Sequence, residues 1–515
     1  MISEPSSQPM SAAGSPDAPM QYRLLIFAGV VLGANLQTLD TTMATVALPQ
    51  IQGTLSATQD EIAWVLASYL IGVAIVMPLV GTLTQILGRK RLFLITVVGF
   101  CIASVFTGSA ESLQEIVIYR FFQGVFASAL SPISQSFVFD AYPPEERGRA
   151  MGWWSLGVMT GIVLGPALGG YLAEFHSWRW AFYLNVPFGV VAFTIICIFA
   201  PTRPRRPSAQ PFGLLGYLIL SVGLVAVQVV LSRGERMDWF SAPEIVAATI
   251  LAVAAIYLFV VHTMYSSRPF IAPAVFKNRN FAIGLMLMFM LGIHWLAFLA
   301  LVSPFLQTLA GYPVFIAGLV LVPQAIGNAT GSMLAGQLLS RIHPAPIMIV
   351  GIFTIAWANW QLSLFTPDFD RWIFYVAVFI HGFGIGFYFV PLTVITFSTL
   401  PRQSRDVGTG LFALMRNYGS SVGVSLTVAY LVRQTQSSQA ILSEHASAFN
   451  ETLRHVPLPE SWSISDVAGL TALNAEATRQ AAAVAYSNDF IWLAFASLVC
   501  VVPLFFVRMP AEGEV

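Results

Sequence analysis

The chain has 515 residues, 56% hydrophobic and only 10% charged, and its 25 basic and 25 acidic side chains cancel. Soluble domains carry roughly 25% charged residues to cover their surface, so a soluble protein is excluded, and the zero net charge offers no broad basic face to nucleic acid. Cys101, Cys197 and Cys500 all lie in apolar runs and fit neither a disulfide framework nor a metal-ligand spacing.

Residues 1–21 are rich in Ser, Pro and Ala and include Glu4 and Asp17 but no Lys or Arg. A cleaved signal peptide needs a basic start, so a disordered cytoplasmic tail is expected here. Apolar runs between breakers then predict about fourteen membrane spans. They fall near 24–48, 62–80, 92–110, 115–138, 150–173, 181–200, 212–231, 244–265, 282–305, 315–339, 346–366, 372–397, 408–432 and 489–507. Each approaches the roughly 20 residues a helix needs to cross a bilayer. The expected fold is therefore an all-α polytopic membrane protein. Residues 433–488 are polar and rich in Ser, Ala and Glu, and no span absorbs them; helix-like stretches at 437–454 and 466–486 could dock a partner or belong to a loose loop.

Basic residues are shared unevenly between the alternate loops. One side holds Arg89, Lys90, Arg91, Arg147, Arg149, Arg203, Arg205, Arg206, Arg268, Lys277, Arg279, Arg341, Arg402 and Arg405, with Arg23 and Arg508 at the chain ends. The other holds only Arg179, Arg233, Arg236, Arg371, Arg433, Arg454 and Arg479. The positive-inside bias predicts that both termini are cytoplasmic and that 433–488 is extracytoplasmic. An internal echo also runs through the chain. Glycines, Pro132, Pro143 and Arg147 following Gly124 recur as glycines, Pro391, Pro401 and Arg405 following Gly382, offset by 258 or 259 residues. Such repeats build transporters whose halves rock. They suggest a six-span half at 22–200, two inserted spans within 201–266, a second six-span half at 267–507, and a cytoplasmic tail at 508–515.

On these boundaries Asp40 is the one acid well inside a span, and Arg120 and Arg416 are the only bases. Each such charge costs about 2.5–3.5 kcal/mol at the bilayer centre. Asp40 is a candidate to bind and release a proton, with Arg120 as its partner. The plainer readings are an acid tying two helices together and an arginine clamping backbone carbonyls. Arg416 beside Asn417 is equally ambiguous. Gln37, Gln123, His294, His381, Arg416 and Asn417 are candidates for the lining of a substrate cavity, although each histidine also reads as a satisfied interior group. Gly157, Gly161, Gly165-Pro166 and Gly169-Gly170 recur every four residues on one helix face, which serves dense packing or a hinge. No phosphate-binding lysine loop, metal cluster or nucleophilic triad is recognisable, so ATP drive from this chain is excluded.

Several of these segments resemble one family. Leu39-Asp40-Thr41-Thr42 through Pro49 resembles the first-helix motif of the fourteen-span drug:proton antiporters of the major facilitator superfamily. Gly81 to Arg91, including Gly88 and Arg89, resembles its cytoplasmic gate loop. Arg120 to Gly124, Gly157 to Gly170, and Trp178-Arg179-Trp180 through Asn185-Val186-Pro187 match further motifs in order. Arg233 to Ser241, Phe276 to Phe281 and the long segment before the last helix are similar to the EmrB-type inner-membrane multidrug pumps.

The resemblance implies a fold of two six-helix halves with two inserted helices. It implies export of lipophilic compounds across a bacterial inner membrane, driven by the proton gradient without a cofactor. Partners of the periplasmic EmrA type and the outer-membrane TolC type follow from it, as do proton-coupling roles for Asp40 and Arg120. Gln85 stands where the family's gate loop usually carries an acid, so Arg89 needs another partner. The rival readings are a narrow-substrate facilitator of the same superfamily and a non-transporting sensor or scaffold built around 433–488.

Overall fold

A backbone surrounded by lipid must satisfy its own hydrogen bonds, and the apolar runs do so as helices. The computed structural model describes residues 20–201, 213–339, 341–365, 371–401, 405–445 and 467–507, and among them there is no strand. Most of the expected tail at 1–21, all of 508–515, and Arg203, Arg205, Arg206, Arg402 and Arg454 lie outside the described residues.

The first six predicted spans form α1 (Met20–Thr54), α2 (Gln59–Val76) continued by α3 (Val80–Leu87), α4 (Arg89–Ser109), α5 (Leu113–Ala127) continued by α6 (Leu130–Ala141), α7 (Pro144–Phe175), and α8 (Arg179–Tyr183) with α9 (Asn185–Phe199). The next two form α10 (Leu214–Arg233) and α11 (Pro243–Tyr265). After the short α12 (Pro273–Lys277) come α13 (Arg279–Pro304), α14 (Val314–Leu319) leading into α15 (Val322–Leu338), α16 (Pro344–Ser363), α17 (Arg371–Ser398), α18 (Arg405–His445) and α19 (Val467–Val499).

Local chemistry sets many of the boundaries. Thr58 and Glu61 exchange side-chain and backbone hydrogen bonds at the start of α2, satisfying two otherwise orphaned amides. Pro144, Pro243 and Pro344 occupy first turns, where no amide hydrogen is needed. Gly88 turns the chain from α3 into α4 at φ +83°, a conformation that glycine adopts without strain.

Twelve helices among the described residues are long and apolar enough to cross a bilayer. The spans predicted near 315–339 and 408–432 are also helical, as α14 with α15 and as the first part of α18, but they are more polar. Gln324, Asn328 and Ser332 of α15 are buried against protein, so this helix does not have to be uniformly apolar. The segment 433–488 is not a simple loop. Helix α18 runs unbroken to His445, and α19 starts at Val467, well before the predicted final span. The two extensions pair through Gln439, whose side-chain amide donates to Thr478 Oγ1 at 2.9 Å and to Asn474 Oδ1 at 3.4 Å.

The packing pattern repeats. In the first set of spans α1 packs on α7, α2 on α5 and α4 on α9, and in the last set α13 packs on α18, α15 on α17 and α16 on α19. The echoing glycines occupy equivalent places. A Cβ at Gly124 would strike the Tyr69 carbonyl of α2, and one at Gly382 the Gln324 carbonyl of α15. Between the sets, α7 meets α14 and α15, while α3 meets α18.

Helix α10 touches both sets. Tyr217 donates its hydroxyl to the Ile75 carbonyl at 3.2 Å, and the Arg233 guanidinium sits 4.7 Å over the Trp64 ring. On the other side Tyr418 donates to the Leu224 carbonyl at 2.9 Å and Ser421 to Gln228 Oε1 at 3.2 Å. Its partner α11 is the most exposed of the spans, with Ile250, Val253 and Tyr257 facing outward as lipid-facing apolar surface.

Candidate functional site

Asp40 lies on the α1 face turned away from α7 and is completely buried. Its Oδ2 accepts from Arg120 Nη1 of α5 at 2.5 Å. Its Oδ1 accepts from Gln123 Nε2 at 2.7 Å and from Asn185 Nδ2 of α9 at 2.9 Å. Gln123 Nε2 also donates to Ser104 Oγ of α4 at 2.7 Å, and its Oε1 accepts from Arg120 Nη1 at 2.8 Å. Arg120 Nε donates to the Val65 carbonyl of α2 at 3.3 Å, and the guanidinium stacks 4.3 Å from the Tyr69 ring. Arg120 Nη2 and Asn185 Oδ1 have no hydrogen-bond partner among the described residues. A carboxylate with three donors is the kind of compensation a buried charge requires, because an unpaired one would cost several kcal/mol. The acid and the arginine are one unit, supported by three further helices, α2, α4 and α9.

The glycine face of α7 holds α1 in place. A Cβ at Gly165 would sit inside the Thr42 hydroxyl, one at Gly161 against Thr38 and Asn35, one at Gly157 against Val31, and one at Gly169 against the Met43 backbone. Asn35 Nδ2 donates across this contact to the Gly157 carbonyl at 2.8 Å. Pro166 lies within the same helix, and Gly170 is half-buried on it. The stripe thus fixes the helix that carries Asp40.

Gly81 is buried near the point where α3 approaches Gly410 of α18. Arg89, which lacks an acid at Gln85, pairs instead with the Asp140 carboxylate at the end of α6. Lys90 Nζ donates to the Ala200 carbonyl at 2.7 Å. The loop after α3 is thereby tied to the ends of α6 and α9. Three polar contacts join the two sets of spans. Arg416 Nη2 donates to Ser131 Oγ at 3.1 Å, Asn417 Nδ2 approaches Met77 Sδ at 3.1 Å, and Ser155 Oγ donates to Asn328 Oδ1 at 3.2 Å.

Three of the residues expected to line a cavity are placed otherwise. Gln123 is consumed by Asp40 and Arg120, because on α5 it lies one turn from Arg120 on the same face. His294 and His381 are buried among the last six spans, His381 stacked on Phe298 at 3.6 Å and His294 bonded to the Met290 carbonyl at 2.8 Å. Gln37 is half-buried on α1, and Thr41 donates to its backbone carbonyl.

Sequence reasoning named Asn185 only within a family motif, with no role, and missed Ser104; both are polar but uncharged and so raise no alarm in an apolar run. It also missed Asp489, taken as the boundary of the last span. In the structure Asp489 is fully buried within α19, and neither carboxyl oxygen has a hydrogen-bond partner among the described residues.

Residues 30–424 match the Major Facilitator Superfamily model. The chain is 31% identical over 435 residues to the multidrug export protein EmrB of Escherichia coli (strain K12), covering 84% of this chain and 85% of EmrB. It is 30% identical to the fatty acid resistance protein FarB of Neisseria gonorrhoeae over 96% of this chain and 97% of FarB. The solved proton:xylose symporter XylE superposes with a TM-score of 0.57 at 16% identity, covering 92% of this chain and 95% of XylE, a likeness of fold alone.

Proposed function

Because the chain belongs to the major facilitator superfamily, we propose that its work as a multidrug efflux transporter is proton-coupled antiport. Hydrophobic and amphipathic compounds leave across the bacterial inner membrane as protons enter. The observation that carries this reading is the buried unit of Asp40, Arg120, Gln123 and Asn185. Protonating Asp40 cancels the charge that Arg120 is paired with, so the pairing that orders α1, α5 and α9 weakens only in the protonated state. A group whose neighbours are rearranged by one proton couples proton binding to helix position. Asn185, Ser104 and Tyr69 are positioning residues for that step.

No resident cofactor is needed, since the gradient supplies the drive: one charge crossing 100 mV is worth about 2.3 kcal/mol. In this reading both termini are cytoplasmic and the extensions of α18 and α19 project outward. We assign them the docking of a periplasmic adaptor of the EmrA type that leads to an outer-membrane channel of the TolC type.

The test is made in proteoliposomes with an imposed inward proton gradient, following a fluorescent lipophilic cation together with internal pH. Wild type is expected to move dye against its gradient while admitting protons, and Asp40→Asn to do neither. Equal transport by the variant would make Asp40 structural and move the coupling elsewhere.

A further inference from the structure

Asp489 has no part in the unit around Asp40, yet it is as deeply buried. It lies on α19 among the last six spans, with zero exposure and both carboxyl oxygens unpartnered. Its neighbours on the same helix, Tyr486, Phe490 and Leu493, join an apolar cluster with Phe298, Phe305 and Phe374. An acid without a cation, a helix cap or a backbone donor does not hold the fold together. In a membrane interior it is a liability unless it binds something.

The surrounding groups narrow what that is. Helix α13 brings His294, whose ring lies beside the Leu493 backbone, one turn along α19 from Asp489. His294 is in turn within electrostatic reach of His381 on α17. Among the described residues Nε2 of His381 is buried without a hydrogen-bond partner, and Nε2 of His294 has only the Leu493 backbone beside it. Helix α16 carries no charged residue but holds Asn359, buried with its Oδ1 unpartnered. Of the charged residues along α18, Arg416 is bonded to Ser131, Arg433 and Glu444 are exposed, and Arg405 and Asp406 lie at the far start of the helix. Apart from Arg279 at its first residue, α13 holds no charge. Tyr486, on the acid's own helix, is the ionisable group in its electrostatic reach. No cation among these faces the carboxyl, and zero exposure leaves room for a proton rather than a drug.

We propose that Asp489 is a second proton-carrying carboxyl, served by His294 and His381, so that each half of the transporter binds its own proton. The inference rests on the proton-antiport reading above. A proton from the outside forms an O–H bond at one carboxyl oxygen, and the acid becomes neutral. The same bond breaks toward the inside, where water takes the proton, and no electrons move. Exchange of two protons for one monovalent lipophilic cation carries net charge across the membrane, whereas exchange of one does not.

The experiment measures the proton-to-substrate ratio in proteoliposomes from reversal conditions, using ethidium as the monovalent probe, for wild type, Asp489→Asn, Asp489→Glu and Asp40→Asn. The expected ratio is two for wild type and for Asp489→Glu. For Asp489→Asn it is one, with export no longer responding to membrane potential and the steady gradient about tenfold smaller per pH unit. Asp40→Asn is expected to lose coupled export altogether. A ratio and a voltage response in Asp489→Asn equal to wild type overturn the proposal while leaving antiport intact. Absence of any proton movement in wild type overturns the antiport reading itself, and this inference with it.

A second readout does not depend on transport. In Asp40→Asn protein, the infrared band of a buried carboxylic acid is expected to titrate and to vanish in the Asp40→Asn, Asp489→Asn double variant. A titrating band that survives the double variant refutes the assignment.

Discussion

Asparagine at position 40 keeps the shape of the side chain but removes one member of a fully buried ion pair. Arg120 is then left charged, with the Val65 carbonyl, Gln123 Oε1 and the Tyr69 and Phe182 rings as its remaining company and Nη2 still without a hydrogen-bond partner among the described residues. Because both side chains have zero exposure, solvent screens nothing. Breaking such a pair from one side costs about 3–5 kcal/mol. Arg120→Gln leaves the opposite orphan and is expected to cost a similar amount. The double variant removes both charges and leaves neutral amides able to bond each other and Gln123. It should therefore be more stable than either single change implies, with a coupling of at least about 2 kcal/mol in the cycle. The assay is reversible titration with SDS in mixed micelles, followed by tryptophan fluorescence. Additivity to within about 0.5 kcal/mol would mean that the two groups do not meet in the folded protein, and the reasoning from geometry to coupling would fail with it. Transport should stay lost in the double variant, which separates the pair's role in stability from its role in coupling.

Other outcomes follow from contacts elsewhere in the bundle. Gly165→Ala drives a methyl into Thr42 and should destabilise by about 1–3 kcal/mol, seen as a lower melting temperature in detergent, whereas Gly53→Ala, with nothing within 4 Å, should be neutral. The partly exposed Arg89 and Asp140 pair should contribute no more than about 1 kcal/mol to stability. Its removal by Asp140→Asn should still shift the balance of conformers read by spin-label distances across the α3 and α18 ends, and the exchanged pair Arg89→Asp with Asp140→Arg should restore that balance. Arg416→Ala removes a charged hydrogen bond between the two sets of spans, worth about 1.5–3 kcal/mol. The same distance measurement should then show the separated state enriched at least tenfold, and an unchanged distribution would show that the contact does not lock this conformer.

How far the sequence was legible depended on how each residue declared itself. Asp40 and Arg120 stood out because a charge inside an apolar run has no cheap explanation, and they prove to be partners. Asp489 escaped by the same logic applied at an edge: an acid beside an apolar run looks like the place where the run ends, and only the helix starting at Val467 shows that it does not. Asn185 and Ser104 bring hydrogen bonds without charge, which hydropathy cannot weigh. The polar extensions of α18 and α19 were legible as helix-like stretches but not as continuations of the spans, because apolar runs report contact with lipid, and these turns are held by each other. For Arg89 the sequence raised the question through Gln85, and the answer, Asp140, lies 51 positions away on another helix.

The polar attachments of α10 set a limit on motion. Its bonds to Ile75 on one side and to Tyr418 and Ser421 on the other are 2.9–3.2 Å long. A hydrogen bond tolerates about 0.5 Å of stretch before it is lost. If one set of spans turns by about 15°, as rigid bodies in switching proteins do, a bond survives only within about 2 Å of the rotation axis. Tyr217, which grips Ile75, and Leu224, which Tyr418 grips, lie on different turns of α10, so both grips cannot lie on one such axis unless it runs along the helix itself. Helices α10 and α11 are therefore either the axle of the machine or a passenger of one side. In the second case the grip on the other side must open and close with every cycle.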